Sequence, residues 1–210
     1  CSKSVTMAPS STLQFPILLG LLLISFLGVE GVLPPSCNRY ECPNYNVKYV
    51  GKNFEIRRYN SPVWISNLAV QDPSLVGATR SGFKRLFSYI YGNNNYKKEM
   101  NMTTPVISEV SINGGNSSIV VSFYVPKVNQ ADPPLANGLY VQRWKTIDVA
   151  VRQFGGFVKD SNIGLQVSAL NDSLTGTTWS AIVKNKYIVA QYNSPFELYN
   201  RVNEIWFFYE

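Results

Sequence analysis

The sequence predicts a single α+β domain built from two consecutive β-α-β-β halves. Two segments carry apolar residues at helical spacing, and segments rich in β-branched and aromatic residues flank each of them. An offset of 85 residues superposes the first set of segments on the second. Helices and antiparallel strands in this order are typical of an α+β domain, and 210 residues are enough for one substantial core.

The first 31 residues have the layout of a secretory signal peptide that follows a few upstream residues. Met7 is the expected start, and a polar stretch precedes the apolar run at residues 15–29. Small residues then place the cleavage site before Val32. An uncleaved signal anchor is the alternative, but a spanning helix needs about 20 apolar residues and this run is shorter. We therefore expect a secreted protein without stable membrane insertion once the peptide is removed.

Residues 32–46 form the predicted N-terminal arm, which is rich in proline and contains two cysteines. In an oxidising compartment Cys37 and Cys42 are expected to form a disulfide that closes a short loop. A metal site is the alternative, but the chain has no second cysteine pair and no histidine. Asn116, which belongs to an acceptor sequence within a glycine-rich turn, is the predicted glycosylation site.

The first predicted helix begins at Asp72 and ends before Gly92. An Asp side chain can cap the first turn, and glycine is favoured just past a helix end. The large apolar residues fall on one stripe of this helix: Val76, Phe83, Leu86, Phe87 and Ile90. Arg80 lies about 60° from the centre of the stripe. The stripe belongs either to the core or to the wall of a ligand site that has a cation at its edge.

The predicted strands of the first half surround this helix. Residues 53–70 are rich in β-branched and aromatic residues and have a bend at Ser61-Pro62. Residues 103–111 and 118–126 are two further strands, joined by the glycine-rich turn. A loop at 129–137 then leads into the second half of the domain.

The second half repeats the same order of elements. Residues 139–154 form a strand region, residues 160–174 a helix, and residues 186–192 and 204–209 two strands. The offset of 85 aligns several pairs of residues: Arg58-Tyr59 with Arg143-Trp144, Ser61 with Thr146, and Phe123-Tyr124 with Phe208-Tyr209. We expect the two halves to pack together as residues 47–210 of one domain.

The composition argues against most catalytic machinery. The sequence has no histidine, which excludes Ser-His-Asp and Cys-His catalysis as well as histidine-ligated metal. It contains no P-loop or dinucleotide-binding fingerprint, and its carboxylates are scattered. The net charge of +6 is spread over isolated Lys and Arg residues, whereas nucleic-acid binding calls for clusters. The sequence therefore favours a binding protein over an enzyme.

An apolar helix face beside Arg80 suits a flat apolar ligand that carries carboxylates. Ligand pockets are mostly apolar and have a few placed polar groups. A guanidinium group matches a carboxylate in a planar, two-pronged geometry, so an arginine at the rim would orient such a ligand.

Four short motifs follow one another along the chain between residues 54 and 206. They read FEIRRY at 54–59, KEMNMTTPV at 98–106, RQFGGF at 152–157, and QYNSPF at 191–196, which leads into NEIW at 203–206. Together they resemble the SOUL/heme-binding-protein family in its plant, signal-peptide-bearing branch. This resemblance implies a distorted antiparallel β-barrel with two flanking helices. It also implies that heme or a related tetrapyrrole binds in an apolar groove on the first helix, beside the loop before the last strand.

The resemblance also implies a set of binding residues. Arg80 is similar in position to the family arginine near the heme propionates, and Val76 and Phe83 are similar to the groove wall. Phe196 matches an apolar position of the loop. No metal-ligating residue is carried over.

The sequence departs from the family pattern at two positions. Arg58 stands where some relatives have a histidine proposed as an iron ligand, and Glu197 stands where some have a lysine near the propionates. Ligation of iron by imidazole is therefore impossible in this chain. The sulfur atoms of Met100 and Met102 are possible ligands, but methionine in an apolar run more often packs in a core.

These observations predict a secreted, non-enzymatic, monomeric carrier of heme or related tetrapyrroles. Three alternatives remain open at this point. One is a general binding module for flat hydrophobic molecules, and another is an enzyme that modifies tetrapyrroles. The third is a purely structural role in the cell wall or in protein interaction, which predicts an empty groove.

Overall fold

The computed structural model describes residues 33–180 and 185–209, and these form ten β-strands and two α-helices. The predicted signal peptide at 1–31 lies outside the described residues. The helices are α1 (Leu75–Ile90) and α2 (Asp160–Leu174). The strands, in chain order, are β1 (Tyr45–Val50), β2 (Glu55–Tyr59), β3 (Val63–Asn67), β4 (Val70–Gln71), β5 (Val106–Asn113), β6 (Asn116–Tyr124), β7 (Leu139–Arg143), β8 (Ile147–Phe154), β9 (Lys186–Gln191) and β10 (Asn203–Tyr209).

Nine of these strands form one antiparallel path in the order β1-β2-β8-β10-β9-β5-β6-β3-β7, and β4 pairs with β6. The sheet curls into a half-barrel, and α1 packs against β6, β3 and β5 while α2 packs against β8 and β10. The predicted α+β class, with a distorted barrel and two flanking helices, is confirmed. None of the helices in the described ranges is long and apolar enough to span a membrane.

Both faces of the curled sheet are buried. One face packs with the inner sides of the two helices and forms a core that includes Leu86, Leu170 and Phe207. The opposite face contacts neither α-helix and forms a second core, which we call the inner core, around Trp64 and Trp206. Because side chains alternate along a strand, the neighbours Trp206 and Phe207 belong to different cores.

A buried ion pair lies on the inner face of the sheet. Arg57 Nη1 donates to Glu204 Oε1 at 2.9 Å, and the two side chains are 3% and 0% exposed. Glu204 Oε2 accepts hydrogen bonds from the Tyr192 hydroxyl and from Trp206 Nε1. Burial lowers the pKa of Arg57, but the Glu204 carboxylate and the tyrosines Tyr45, Tyr59 and Tyr192 together outweigh this effect and hold the pKa well above its usual value. The guanidinium of Arg57 therefore remains charged although it is buried.

The predicted internal repeat is visible in the strand register. β2 pairs with β8 so that Arg58 lies opposite Asp148, and β3 pairs with β7 so that Val63 lies opposite Arg143. A shift of 85 residues converts the first pair into the second. The equivalent strands β5 and β9 pair with each other, and Val106 lies opposite its own equivalent, Gln191.

The structure refines the first strand region of each half. The predicted segment 53–70 contains β2, β3 and β4, and the predicted segment 139–154 contains β7 and β8. Ser61, which has a φ of 49°, forms the predicted bend between β2 and β3. Its hydroxyl lies 3.5 Å from that of Thr146, the corresponding residue between β7 and β8.

Helix α1 begins at Leu75, three residues after the predicted start at Asp72. Ser74 is the N-cap, and its hydroxyl accepts a hydrogen bond from the N–H of Gly77 at 2.9 Å. Asp72 supports the cap, because its Oδ1 accepts from the N–H of Ser74. At the other end Gly92 has a φ of 89°, as the predicted stop requires. Helix α2 has the predicted bounds, and Ile163, Leu170 and Leu174 are buried.

The remaining local predictions concern the arm and the glycine-rich turn. Cys37 and Cys42 form the predicted disulfide, and the arm joins the barrel through a bridge between Glu41 and Thr103. Gly114 and Gly115 both have positive φ, so they form the tight turn between β5 and β6. The side chain of Asn116 lies outside the described residues, and its glycosylation stays a prediction.

Candidate functional site

Helix α1 contacts the sheet through its small residues as well as its large ones. Its buried positions are Leu75, Ala78, Gly82, Leu86, Tyr89 and Ile90. A Cβ atom at Gly82 would lie only 2.6 Å from the Cβ of Val121 on β6, so this position requires glycine. The close approach at Gly82 sets the rotation of the helix and leaves one flank of it open.

The open flank of α1 carries three aromatic rings, Phe83, Phe87 and Tyr91, which we call the aromatic ridge. Phe83 stacks on Phe87 at a centroid distance of 5.5 Å, and Phe87 contacts Tyr91 at 4.7 Å. Phe83 is half-buried and packs edge-on against Phe123 of β6, whereas Phe87 and Tyr91 are 40% and 64% exposed. The ridge is therefore anchored to the sheet at one end and open to solvent at the other.

The predicted stripe on α1 is thus divided between two environments. Leu86 and Ile90 enter the core, whereas Phe83 and Phe87 lie on the open flank. At about 100° per residue, Val76 and Arg80 fall on that same flank, within about 60° of arc from the two phenylalanines. Val76 is half-buried. Three of the predicted binding residues, Val76, Arg80 and Phe83, are therefore together on one surface.

Arg80 is exposed beside the aromatic ridge. Most of the arginines in the described ranges donate to a carboxylate or a carbonyl, but Arg80 forms no hydrogen bond or ion pair with any described residue. An arginine in this condition has its full set of donors available to a ligand. The flank therefore combines flat apolar surface with an available planar cation.

The fourth predicted residue, Phe196, lies on the loop between β9 and β10. Its side chain is 91% exposed, and its ring does not contact the ring of Phe83, Phe87 or Tyr91. The structure therefore places Phe196 at the surface without joining it to α1.

Arg201 holds the loop that carries Phe196. Its guanidinium donates to the carbonyl oxygens of Ser194 at 2.7 Å and of Glu197 at 2.6 Å, and it lies over the ring of Phe157 at 4.4 Å. Three large apolar side chains are exposed on this ordered loop: Phe196, Leu198 and Tyr199.

A chain of contacts connects the loop to the start of α1. Phe157, which packs under Arg201, lies three residues before Asp160, the first residue of α2. The Asp160 carboxylate accepts hydrogen bonds from the hydroxyl of Ser74 and from the N–H of Val76 at the start of α1. The start of α1 and the loop are thus connected to the same segment that leads into α2.

The charge of Glu197, which would repel a ligand carboxylate, is compensated. Arg39 of the N-terminal arm forms an ion pair with Glu197, and Asn193 donates a second hydrogen bond to it at 2.8 Å. The hydrogen bond from Arg39 is the main reason why the pKa of Glu197 is lowered. Arg39 could not be predicted as the partner of Glu197, because the two residues are 158 positions apart in the chain.

The two other positions of interest have structural roles. Arg58 donates from Nε and Nη2 to the two carboxylate oxygens of Asp148, both at 2.7 Å, and so joins β2 to β8. Met100 and Met102 are partly buried and pack against the core that includes Leu86 and Leu170. The residues that the structure describes contain no group of three His, Cys, Asp or Glu side chains able to hold a metal ion.

The comparisons with known proteins agree with the architecture. A family model described as SOUL heme-binding protein matches residues 40–208. The chain is 34% identical to heme-binding protein 2 of Homo sapiens over 159 residues, which cover 73% of this chain and 77% of the human protein. It is 31% identical to heme-binding protein 2 of Mus musculus over 161 residues, with 73% and 77% coverage. It is 28% identical to heme-binding protein 1 of Xenopus laevis over 162 residues, with 75% and 84% coverage. The chain belongs to the SOUL heme-binding protein family.

Proposed function

We propose that this protein binds heme or a related tetrapyrrole on the open flank of α1 and acts as a non-enzymatic carrier. The observation that carries the proposal is the exposed aromatic ridge beside an arginine that has no partner among the described residues. Membership of a family whose relatives are named heme-binding proteins supports the same ligand class.

The flank offers both interactions that a tetrapyrrole needs. The macrocycle is flat and apolar, so its face can cover the rings of Phe87 and Tyr91 and remove them from water. Its propionate groups are carboxylates, which the guanidinium of Arg80 can bind through two parallel hydrogen bonds. Phe196 on the neighbouring loop would add a further apolar contact. An open surface of this kind supports modest affinity, about micromolar or −8 kcal/mol.

We infer that the metal ion contributes little to binding. The chain has no histidine, and the thioethers of Met100 and Met102 pack against the core. Without an axial ligand, affinity has to come from burial of the ring and from pairing of the carboxylates. A metal-free porphyrin with the same propionates should therefore bind about as tightly as heme.

We also propose that the carrier is a secreted monomer. The predicted signal peptide, the disulfide of the N-terminal arm and the predicted glycosylation at Asn116 all suit an oxidising secretory route. Expression in eukaryotic cells, followed by N-terminal sequencing of protein from the medium, tests this. Cleavage before Val32 is expected, and retention of the full-length chain in membranes would contradict the proposal.

The ligand proposal is tested by absorbance titration of the mature protein with hemin and with metal-free protoporphyrin. Saturable binding of both, with dissociation constants within about threefold of each other, is the expected result. A strong preference for hemin would point to an iron ligand and contradict the metal-independent mode. The absence of saturable binding of either compound would reject the tetrapyrrole carrier itself.

A further inference from the structure

A cleft of about 460 Å³ opens at one end of the barrel, and no residue of α1 lines it. Three segments surround the cleft: residues 33–35 of the N-terminal arm, residues 50–54 in and beside the β1–β2 turn, and residues 151–153 of β8. Glu55, Arg57 and Val202 complete the lining. The volume lies within the range of about 300–1,000 Å³ that is usual for small-molecule sites.

The cleft reaches the inner core at one end of the half-barrel. Side chains alternate along a strand, so Glu55 and Arg57 of β2 lie on the same face as Tyr59, which belongs to the inner core. Val151 of β8 lies opposite Glu55 and also belongs to the inner core. Arg57 connects the cleft to the interior, because its guanidinium reaches Glu55 on one side and the buried Glu204 on the other. Barrel mouths are common positions for ligand sites.

The charges that line the cleft favour an anion. Among the described residues of the lining, Lys52, Arg57 and Arg152 are cationic and Glu55 is acidic. Lys52 forms no hydrogen bond or ion pair within the described part of the chain. Arg152 donates to neutral oxygen atoms alone, the carbonyl of Asn53 and the side chain of Gln166, both at 3.4 Å. Two cations at this mouth thus have no acidic partner in the ranges 33–180 and 185–209.

Apolar residues form another part of the lining, next to the polar side chains of Asn53 and Gln153. Leu33 and Pro34 of the arm lie on one side of the cleft, and Phe54, Val151 and Val202 contribute further apolar side chains. The ring of Phe54 is held by the turn above it, since a Cβ atom at Gly51 would lie 2.3 Å from that ring. A small apolar group in the cleft would contact Leu33 and Pro34 of the arm and Val202.

We propose that this cleft is a second ligand site, which binds a small organic acid with an apolar body. The carboxylate is bound by Lys52 and Arg152, and the body packs against Phe54, Val202 and the arm. The site is separate from the flank of α1 and goes beyond tetrapyrrole binding.

The test uses two probes that share one body and differ in charge, phenylbutyrate and phenylbutylamine. Each is titrated into the isotope-labelled mature protein, and backbone amide shifts are followed by NMR. Saturable shifts with phenylbutyrate, centred on residues 50–54 and 151–153, are expected, together with at least tenfold weaker binding of the amine. Equal binding of both probes, shifts centred on α1, or no saturation at millimolar phenylbutyrate would each overturn the proposal.

Two variants examine the charges directly. Glu55→Gln removes the acidic group of the lining and should tighten phenylbutyrate binding severalfold, a gain that misfolding cannot produce. The double variant Lys52→Glu/Arg152→Glu should weaken binding at least tenfold. Lys127→Glu/Lys145→Glu is the matched control, because both lysines are exposed, neither lines the cleft, and the change in net charge is the same. If the two double variants lost the same amount of phenylbutyrate affinity, net charge alone would explain the effect and the site would be rejected.

Hemin distinguishes this proposal from the tetrapyrrole proposal. The phenylbutyrate titration is repeated with the protein saturated with hemin. Unchanged phenylbutyrate affinity is expected for two separate sites, whereas competition would place hemin in the cleft and overturn the inference. If hemin does not bind at all, titration of the protein and its variants with phenylbutyrate still tests whether the cleft binds a ligand.

Discussion

The carboxylate of Asp160 caps the first turn of α1: its Oδ1 accepts a hydrogen bond from the backbone N–H of Val76 at 3.1 Å. Its Oδ2 accepts a second bond from the hydroxyl of Ser74, the N-cap residue, at 2.8 Å. The first residue of one helix thus satisfies a free N–H at the start of the other. Because Val76 begins the open flank, this contact also fixes the position of the proposed tetrapyrrole site relative to α2.

Asp160→Ala should lower the free energy of unfolding by about 1 kcal/mol, the usual cost of losing a capping carboxylate. Asp160→Asn should lower it less, since the amide oxygen still accepts one hydrogen bond. Denaturation in urea measures both. Asp172→Ala is the matched control, because Asp172 lies exposed on the same helix. Equal effects of the Asp160→Ala and Asp172→Ala substitutions would show that the contact between the helices contributes nothing to stability.

The sequence predicted the bounds of α2 but not the face of α1 that meets the sheet. In α2 the large apolar residues alone mark the buried positions, as Ile163, Leu170 and Leu174 show. In α1, Ala78 and Gly82 make the close contact with the sheet. A prediction based on large apolar residues does not include these two small ones. The small residues bring the helix onto β6, and this rotation moves Phe83 and Phe87 outward. The close contact between Gly82 and Val121 sets the orientation of α1, which the spacing of its large apolar residues does not reveal.

Long-range pairs explain the rest of what the sequence could not predict. The compensation of Glu197 depends on Arg39, and the cap of α1 depends on Asp160, 84 residues away from Val76. The barrel mouth brings the N-terminal arm, the β1–β2 turn and β8 together. No local pattern contains such contacts, because their partners are far apart in the chain and meet only in the folded domain.

Phe87→Ser should weaken hemin binding about tenfold, because the variant removes the most exposed phenylalanine of the aromatic ridge. The same change should leave the melting temperature nearly unchanged, since the ring is already 40% exposed. Absorbance titration and thermal denaturation measure the two effects. Leu165→Ser serves as the control, because Leu165 is an exposed apolar residue on α2. Unaltered hemin affinity in the Phe87 variant would remove the ridge from the site.

Arg80→Ala should weaken the binding of hemin and protoporphyrin about tenfold, the expected loss of a charge-assisted hydrogen bond at an open surface. Binding of protoporphyrin dimethyl ester should not change, because the esters have no charge for Arg80 to bind. The fold should be retained, since Arg80 has no partner among the described residues. Lys84→Ala, one helical turn further along and also exposed, is the control. Equal losses for the acid and the ester would contradict a role of Arg80 in binding carboxylates.

Asp148→Asn should destabilise the protein near neutral pH but have little effect in acid. The hydrogen bonds from Arg58 are the main reason why the pKa of Asp148 is lowered from 3.8. A carboxyl whose folded pKa is lowered stabilises the protein at pH values above its unfolded pKa. That contribution is lost as the pH falls through the folded pKa.

The difference in the free energy of unfolding between wild type and Asp148→Asn should therefore shrink as the pH falls below about 4. At neutral pH it should stay below about 1 kcal/mol, because the Arg58 side chain is 42% exposed and solvent screens the pair. Urea denaturation across this range measures it, and NMR titration of the Asp148 carboxyl carbon in Arg58→Gln is the independent check. The midpoint of that titration should rise toward the ordinary value once Arg58 is removed. If the difference in the free energy of unfolding stayed constant with pH, the ion pair between Arg58 and Asp148 would not contribute to the stability of the β2–β8 pairing.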